Sequence, residues 1–189
     1  MSTAAELTDM SLIEGCIRGD LKSQKQLYKQ FYGLAMSVCL RYAESREEAA
    51  EIMNDGYMKV FANIATYQQA KSFRAWLRTI MVHTAIDHYR RNSKYYGTLD
   101  LVYAESEMGQ EDILDTISAS EIMAMVQQLP PSYRVVFNLH AVEGFSHSEI
   151  AEKLQITEGA SKSSLSKARI KLQKMISLYD QDKYSSYAR

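Results

Sequence analysis

Five side chains in the C-terminal third have the chemistry of a nucleic-acid surface. Lys162, Ser163, Ser166, Lys167 and Arg169 fall on the outer side of one helical run, opposite Leu165, Ala168 and Leu172. Lysine and arginine attract phosphate and donate to guanine edges, and serine hydroxyls donate or accept. The residues just before them supply a frame. Ser146 and Glu149 have capping-box spacing ahead of a short helix, 148–154, that carries Ile150, Ala151 and Leu154. Ile156 packs the turn, Thr157 caps the next helix, and small Ala151 lets the two helices cross closely. Residues 129–172 therefore read as a helix-turn-helix, a unit that lays its second helix in the DNA major groove. An ordinary helical hairpin with a solvated basic face is the competing reading. Cap, turn spacing, small residue and basic face together favour DNA.

A second constellation spans 73–91, where Phe73 and Trp76, with Tyr67 just upstream, are interleaved with Arg74, Arg78, Arg90 and Arg91. Planar rings beside cations suit unpaired bases, which stack on the rings while the charges hold the backbone. For Trp76 a place in the core is the alternative. A third constellation is acidic. Glu47, Glu48, Glu51 and Asp55 include two like-charged i, i+4 pairs, which weaken a helix by a few tenths of a kcal/mol. Gly56 costs about 1 kcal/mol more relative to alanine. A basic protein partner would account for such costs; a merely solvated face is the alternative. His83, Asp87 and His88 sit about one turn apart, as a metal pair would, but no third ligand follows at a sensible spacing. With no glycine-rich phosphate loop, nucleophile elbow or cysteine–histidine pair, the chain is expected to be neither an enzyme nor a holder of a metal or cofactor.

Charge follows the same layout. The net charge over 189 residues is −1, but its distribution is basic, acidic, basic. Residues 71–91 hold Lys71, Arg74, Arg78, Arg90 and Arg91 against Asp87. Residues 93–120 hold six acidic groups against Lys94. Residues 158–174 hold Lys162, Lys167, Arg169, Lys171 and Lys174 against Glu158. Two DNA-binding modules on one chain would produce this pattern. Cys16 and Cys39 are isolated and expected in the core of a reduced, cytoplasmic protein. No signal-peptide pattern opens the chain, and no apolar run approaches the roughly 18 residues of a membrane span.

The elements that must position these groups all read as helices. Asp9 is expected to cap a first helix through Arg18, and Leu27, Phe31, Leu34, Ala35, Val38, Cys39 and Tyr42 stripe a second. Ser45 caps a third, with Glu47 and Glu48 in its first turn. A fourth runs from near Ser72 to about Asn92, its inner face Trp76, Leu77, Ile80, Met81 and Ala85. Helical periodicity resumes at Ile117, Pro131 opens another helix and Gly144 ends it. The tail after Tyr179 is expected to fray. The fold class is all-α, with two small helical domains at 1–94 and 117–189 joined by an acidic linker at 95–116.

These residues resemble a bacterial RNA polymerase sigma factor of the extracytoplasmic-function group, which keeps only the second and fourth sigma domains. The likeness covers about residues 12–172 and rests on four blocks. Glu51-Ile52-Met53-Asn54-Asp55-Gly56-Tyr57 is similar to the family's Asp-x-x-Gln-Glu-x-Phe helix, and Phe73-Arg74-Ala75-Trp76-Leu77 to its aromatic block. Asp87-His88-Tyr89-Arg90-Arg91 resembles the end of the helix that reads the −10 element, and residues 129–169 resemble the fourth domain.

The resemblance implies roles. Glu48, Glu51, Asn54 and Asp55 would meet core polymerase at its β′ clamp helices, with the β subunit a further contact. Arg74, Trp76, Arg78, His83, Asp87, Arg90 and Arg91 would hold the melted −10 element. Lys162, Ser163, Ser166, Lys167 and Arg169 would read the −35 element in duplex form. The linker would thread near the RNA path. An anti-sigma partner, membrane-bound or not, would fit, with no membrane insertion by this chain. Five positions depart from the family's pattern. His83 replaces a usual asparagine, Gly56 a better helix former, Asn54 a glutamine, and Ser161 and Ser164 the usual valine and arginine, which implies weaker phosphate contact there. Two rival functions follow from the residues themselves. One is a stand-alone helix-turn-helix regulator that dimerises on duplex DNA. The other is a metal-dependent hydrolase using His83 and Asp87.

Overall fold

The computed structural model describes residues 4–68, 72–96 and 118–187. All regular structure among them is helical. The chain divides into two compact units, Met1–Asp87 and His88–Arg189. Apart from Tyr95 and Tyr96, the expected linker at 95–116 lies outside the described residues, as does Ile117.

The first unit contains α1 (Ala4–Ile17), α2 (Leu21–Cys39), α3 (Arg46–Asn63), a 3-10 turn (Ile64–Thr66) and most of α4 (Phe73–Tyr96). Helix α1 starts five residues before Asp9, so Asp9 is not its cap; Ala4, Ala5, Glu6 and Leu7 are good helix formers and carry the helix back. Asp20 caps α2 instead, accepting from the amides of Lys22 and Ser23 at 3.3 and 3.0 Å. Ser45 caps α3 as expected, its hydroxyl accepting from Glu48 N at 3.1 Å. The core gathers Leu27, Phe31, Ala35, Val38 and Cys39 from α2, Ile52, Met53, Tyr57 and Val60 from α3, and Leu77, Met81 and Ala85 from α4. Tyr42 is buried with them but lies in the turn beyond α2. Of the expected inner face of α4, Trp76 and Ile80 are only half-buried.

Gly56 has a reason inside this unit. It is buried, and a Cβ there would stand 2.4 Å from the Met81 sulfur. The helix-propensity cost therefore needs no external partner to explain it: glycine lets α3 and the Met81 side chain of α4 approach. Burial also pushes the Cys39 thiol up to about 12, so it behaves as an apolar core residue.

The second unit holds α5 (Ala119–Gln127), α6 (Pro131–Phe137), a π turn (Asn138–Val142), α7 (His147–Leu154) and α8 (Glu158–Tyr187). A capping box between Ser118 and Glu121 starts α5, and Pro131 opens α6. Met125, Val126, Leu129, Tyr133, Ala168 and Leu172 form one cluster, closed by the Tyr179 hydroxyl, which donates to the Glu121 carboxylate. Arg134 is 3% exposed, and its Nη2 donates to Leu129 O at 2.7 Å, fastening the corner between α5 and α6. Gly144 leaves the π turn with φ +79, as expected of a left-handed cap. Helix α8 continues eight residues beyond Tyr179, where fraying was expected, because nothing from Asp180 to Tyr187 breaks a helix.

Candidate nucleic-acid interface

The helix-turn-helix is built by local chemistry at both ends of α7. Ser146 Oγ accepts from Glu149 N, and the Glu149 carboxylate accepts from Ser146 N at 2.8 Å, closing the capping box. The Ser146 amide and the Ser146 hydroxyl, which donates to the same carboxylate at 2.7 Å, hold the Glu149 carboxyl below the usual carboxylate range. Gln155 ends α7 in the left-handed region at φ 58, ψ 45, and Ile156 N donates back to Ala151 O at 3.0 Å. Two residues later Thr157 Oγ1 accepts from Ala160 N at 3.1 Å and starts α8.

On α8, Ser161, Leu165, Ala168 and Leu172 face inward. Lys162, Ser163, Ser166 and Arg169 are exposed and Lys167 is half-buried, so all five expected DNA-facing residues share the open side. Lys162 also meets Glu158 at 3.6 Å, a solvated pair of little energetic weight. Ser161 is fully buried and its hydroxyl lies 2.9 Å from His147 Nδ1, so it offers nothing to a phosphate.

The α4 set divides in two. Trp76, His83, Asp87 and Arg90 follow one another at two-turn, one-turn and one-turn intervals and so line one stripe. Arg74 and Arg78, one turn apart, lie off that stripe, and Arg91 flanks it. Phe73 is buried against Phe31 (5.0 Å between ring centroids) and Tyr67 (5.4 Å), while half-buried Trp76 packs on Tyr67 (5.5 Å) and Phe73 (5.6 Å). Trp76 is thus both core edge and open ring. Asp87 Oδ2 is held by Lys59 Nζ at 2.7 Å, a partner that the α3 and α4 sequences give no local hint of. Residues 69–71, in the loop before α4, lie outside the described residues.

The acidic face of α3 exposes Glu51, Asn54 and Asp55, with Met58 exposed one turn further on. Tyr28 donates its hydroxyl to Asn54 Oδ1 at 3.4 Å. Glu48 is placed differently. Its carboxylate accepts from Glu44 N at 2.6 Å, so it serves the start of α3.

Two family models match this chain, the Sigma-70 region 2 model over residues 27–95 and the Sigma-70 region 4 model over 119–172. The chain is 27% identical over 157 residues to RNA polymerase sigma factor YlaC of Bacillus subtilis, covering 80% of this chain and 91% of that protein. It is 22% identical over 178 residues to the ECF RNA polymerase sigma-E factor of Haemophilus influenzae, covering 88% and 94%. A solved sigma factor, RpoE of Bartonella quintana in complex with the anti-sigma factor NepR, aligns at TM-score 0.47 with 21% identity over 83% of this chain and 98% of that one. The chain belongs to the sigma-70 family, in its extracytoplasmic-function group. It is a transcription initiation factor that directs RNA polymerase to promoters, and its family is non-catalytic. Among the described residues no helix is long and apolar enough to cross a membrane.

Proposed function

We propose that this sigma factor divides promoter recognition between its two units. The exposed basic side of α8 reads the −35 element as duplex through Lys162, Ser163, Ser166, Lys167 and Arg169. The Trp76–His83–Asp87–Arg90 stripe, flanked by Arg91, holds the melted −10 element, with Arg74 and Arg78 adding charge from off the stripe, and stacking of extruded bases offsets a melting cost of a few kcal/mol. Glu51, Asn54 and Asp55 dock on the β′ clamp helices, and Glu48 supports them by starting their helix. On this reading residues 1–94 and 117–189 are the working domains and 95–116 the linker. The factor works in the cytoplasm, carries out no catalysis itself, and is open to control by an anti-sigma protein.

The observation that carries the reading is the open side of α8. All five expected contacts face away from the Leu165–Ala168–Leu172 side that packs the fold. Run-off transcription with purified core polymerase on host genomic fragments tests it. Discrete new transcripts that share a two-part upstream element are expected only when the protein is added. Transcripts without a common −35 sequence would remove α8 from its assigned role.

A further inference from the structure

Two histidines meet at the root of the recognition helix. His140 comes from the π turn and His147 is the first residue of α7; their rings stack with centroids 4.7 Å apart and planes 10° from parallel. His140 Nδ1 lies 2.9 Å from Phe145 O. A carbonyl only accepts, so this nitrogen carries the proton and ties the π turn to the loop before α7. His147 Nδ1 lies 2.9 Å from the hydroxyl of Ser161, which is fully buried in the first turn of α8. Loop, π turn, α7 and the start of α8 are therefore joined through two adjoining rings and one buried hydroxyl.

We propose that His140, His147 and Ser161 form a proton-sensitive latch that holds the first turn of α8 in its DNA-reading position near neutral pH and lets it go on acidification. The inference rests on the assignment of α8 to the −35 element. The charged surroundings favour a neutral stack. Besides His140 from the π turn, Lys162 and Arg169 of α8 bear on His147, and Glu158 is the one opposing charge from that helix. Burial, then His140 and Lys162, hold the His147 ring below the usual histidine range. The unpacked form thus takes up a proton before the packed form does. Packing is fully supported above the ordinary histidine value and weakens as pH falls through it. Lys162 and Arg169 are two of the five DNA-facing residues, so the charge that opens the latch arises beside the reading surface.

The test compares the full-length chain with His147→Phe/Ser161→Ala, which keeps a stacked ring, removes the titrating nitrogen and leaves no buried hydroxyl unpaired. Amide hydrogen exchange of residues 160–165, corrected for the intrinsic pH effect, is followed between about pH 7.5 and 5.5 without DNA. In the native chain protection of these amides is expected to fall several-fold more than in the double variant. Equal pH dependence in both would overturn the latch, whatever α8 binds. If the double variant fails to fold, His147→Asn serves, since its amide can stand where Nδ1 meets the Ser161 hydroxyl but does not titrate, with the same expected blunting of the pH response. In parallel, holoenzyme binding to a −35 duplex should weaken several-fold more on acidification with the native chain than with the variant. Phosphates would act in the opposite sense, favouring the charged ring. Binding that strengthens on acidification in the native chain alone therefore also overturns the latch. Exchange that behaves as expected with no −35 binding at any pH would instead overturn the assignment of α8.

Discussion

At the scale of single residues, Gly56 shows how one missing methyl sets a helix crossing. Met81 is fully buried, so its sulfur, 2.4 Å from where a Cβ would stand, has little room to retreat. Gly56→Ala gains about 1 kcal/mol of helix propensity but overpacks the core at a typical cost of about 1–3 kcal/mol. The variant is expected to be destabilised by up to about 2 kcal/mol in urea unfolding. A Met81→Ala background should relieve most of that loss, and strictly additive effects in this double-mutant cycle would disprove the contact. On the other unit, Lys167 and Arg169 are judged by DNA. Alanine at either should weaken binding of holoenzyme to its −35 element by about 1–3 kcal/mol if the side chain reads a base. A loss that is uniform across altered −35 sequences would make it a phosphate contact instead.

Helices are where sequence and structure agree best, and the reason is that their ends are local. Ser45, Pro131, Gly144, the Ser146–Glu149 box and Thr157 all act over four residues or fewer, so their spacing alone reveals them. Asp20 and Ser118 act over the same distance but escape a reading based on apolar stripes: Lys22, Ser23 and Gln24 after Asp20 add nothing to a stripe, and an apolar period begun at Ile117 runs past Ser118. What stays illegible is long-range. Lys59 with Asp87, Gly56 against Met81, and Ser161 under His147 each join different helices, and no local period announces them. The exposed side of α8 was legible because amphipathic spacing sorts inside from outside; the α4 set was less so, because identity alone does not separate Arg74 and Arg78 from the Trp76 stripe. The capping box gives the prediction for this scale. Ser146→Ala should cost about 1 kcal/mol and loosen α7. The Glu149 carboxyl, held low by its bonds to Ser146, supports α7 above the ordinary glutamate range and ceases to as pH falls through its lowered value. Circular dichroism of Glu149→Gln should therefore show less acid-induced loss of helix than the native chain.

For the molecule as a whole, the charge layout argues that DNA binding depends on the polymerase. A net charge of −1 gives the free chain almost no long-range attraction to a polyanion, and its two proposed DNA-binding basic clusters, in α4 and α8, have acidic residues between them in sequence. Each basic surface can neutralise only a few phosphates, and each neutralised phosphate contributes about −0.9 to the slope of log affinity against log salt. The free chain should accordingly bind a promoter fragment weakly and with a shallow salt slope, read by fluorescence anisotropy over a salt series. Added core polymerase should convert this to tight binding if, as proposed, it docks on Glu51, Asn54 and Asp55 and presents both surfaces to one promoter, which makes the second contact intramolecular. Lys162→Ala should then reduce the slope of the holoenzyme by at most about one phosphate equivalent, and by less if Glu158 already occupies the lysine. Asp55→Lys should abolish the gain from core polymerase while leaving the weak binding of the free chain unchanged. Tight, steeply salt-dependent binding by the free chain, insensitive to Asp55→Lys, would mean that α8 works alone and that the acidic face of α3 serves something other than the polymerase.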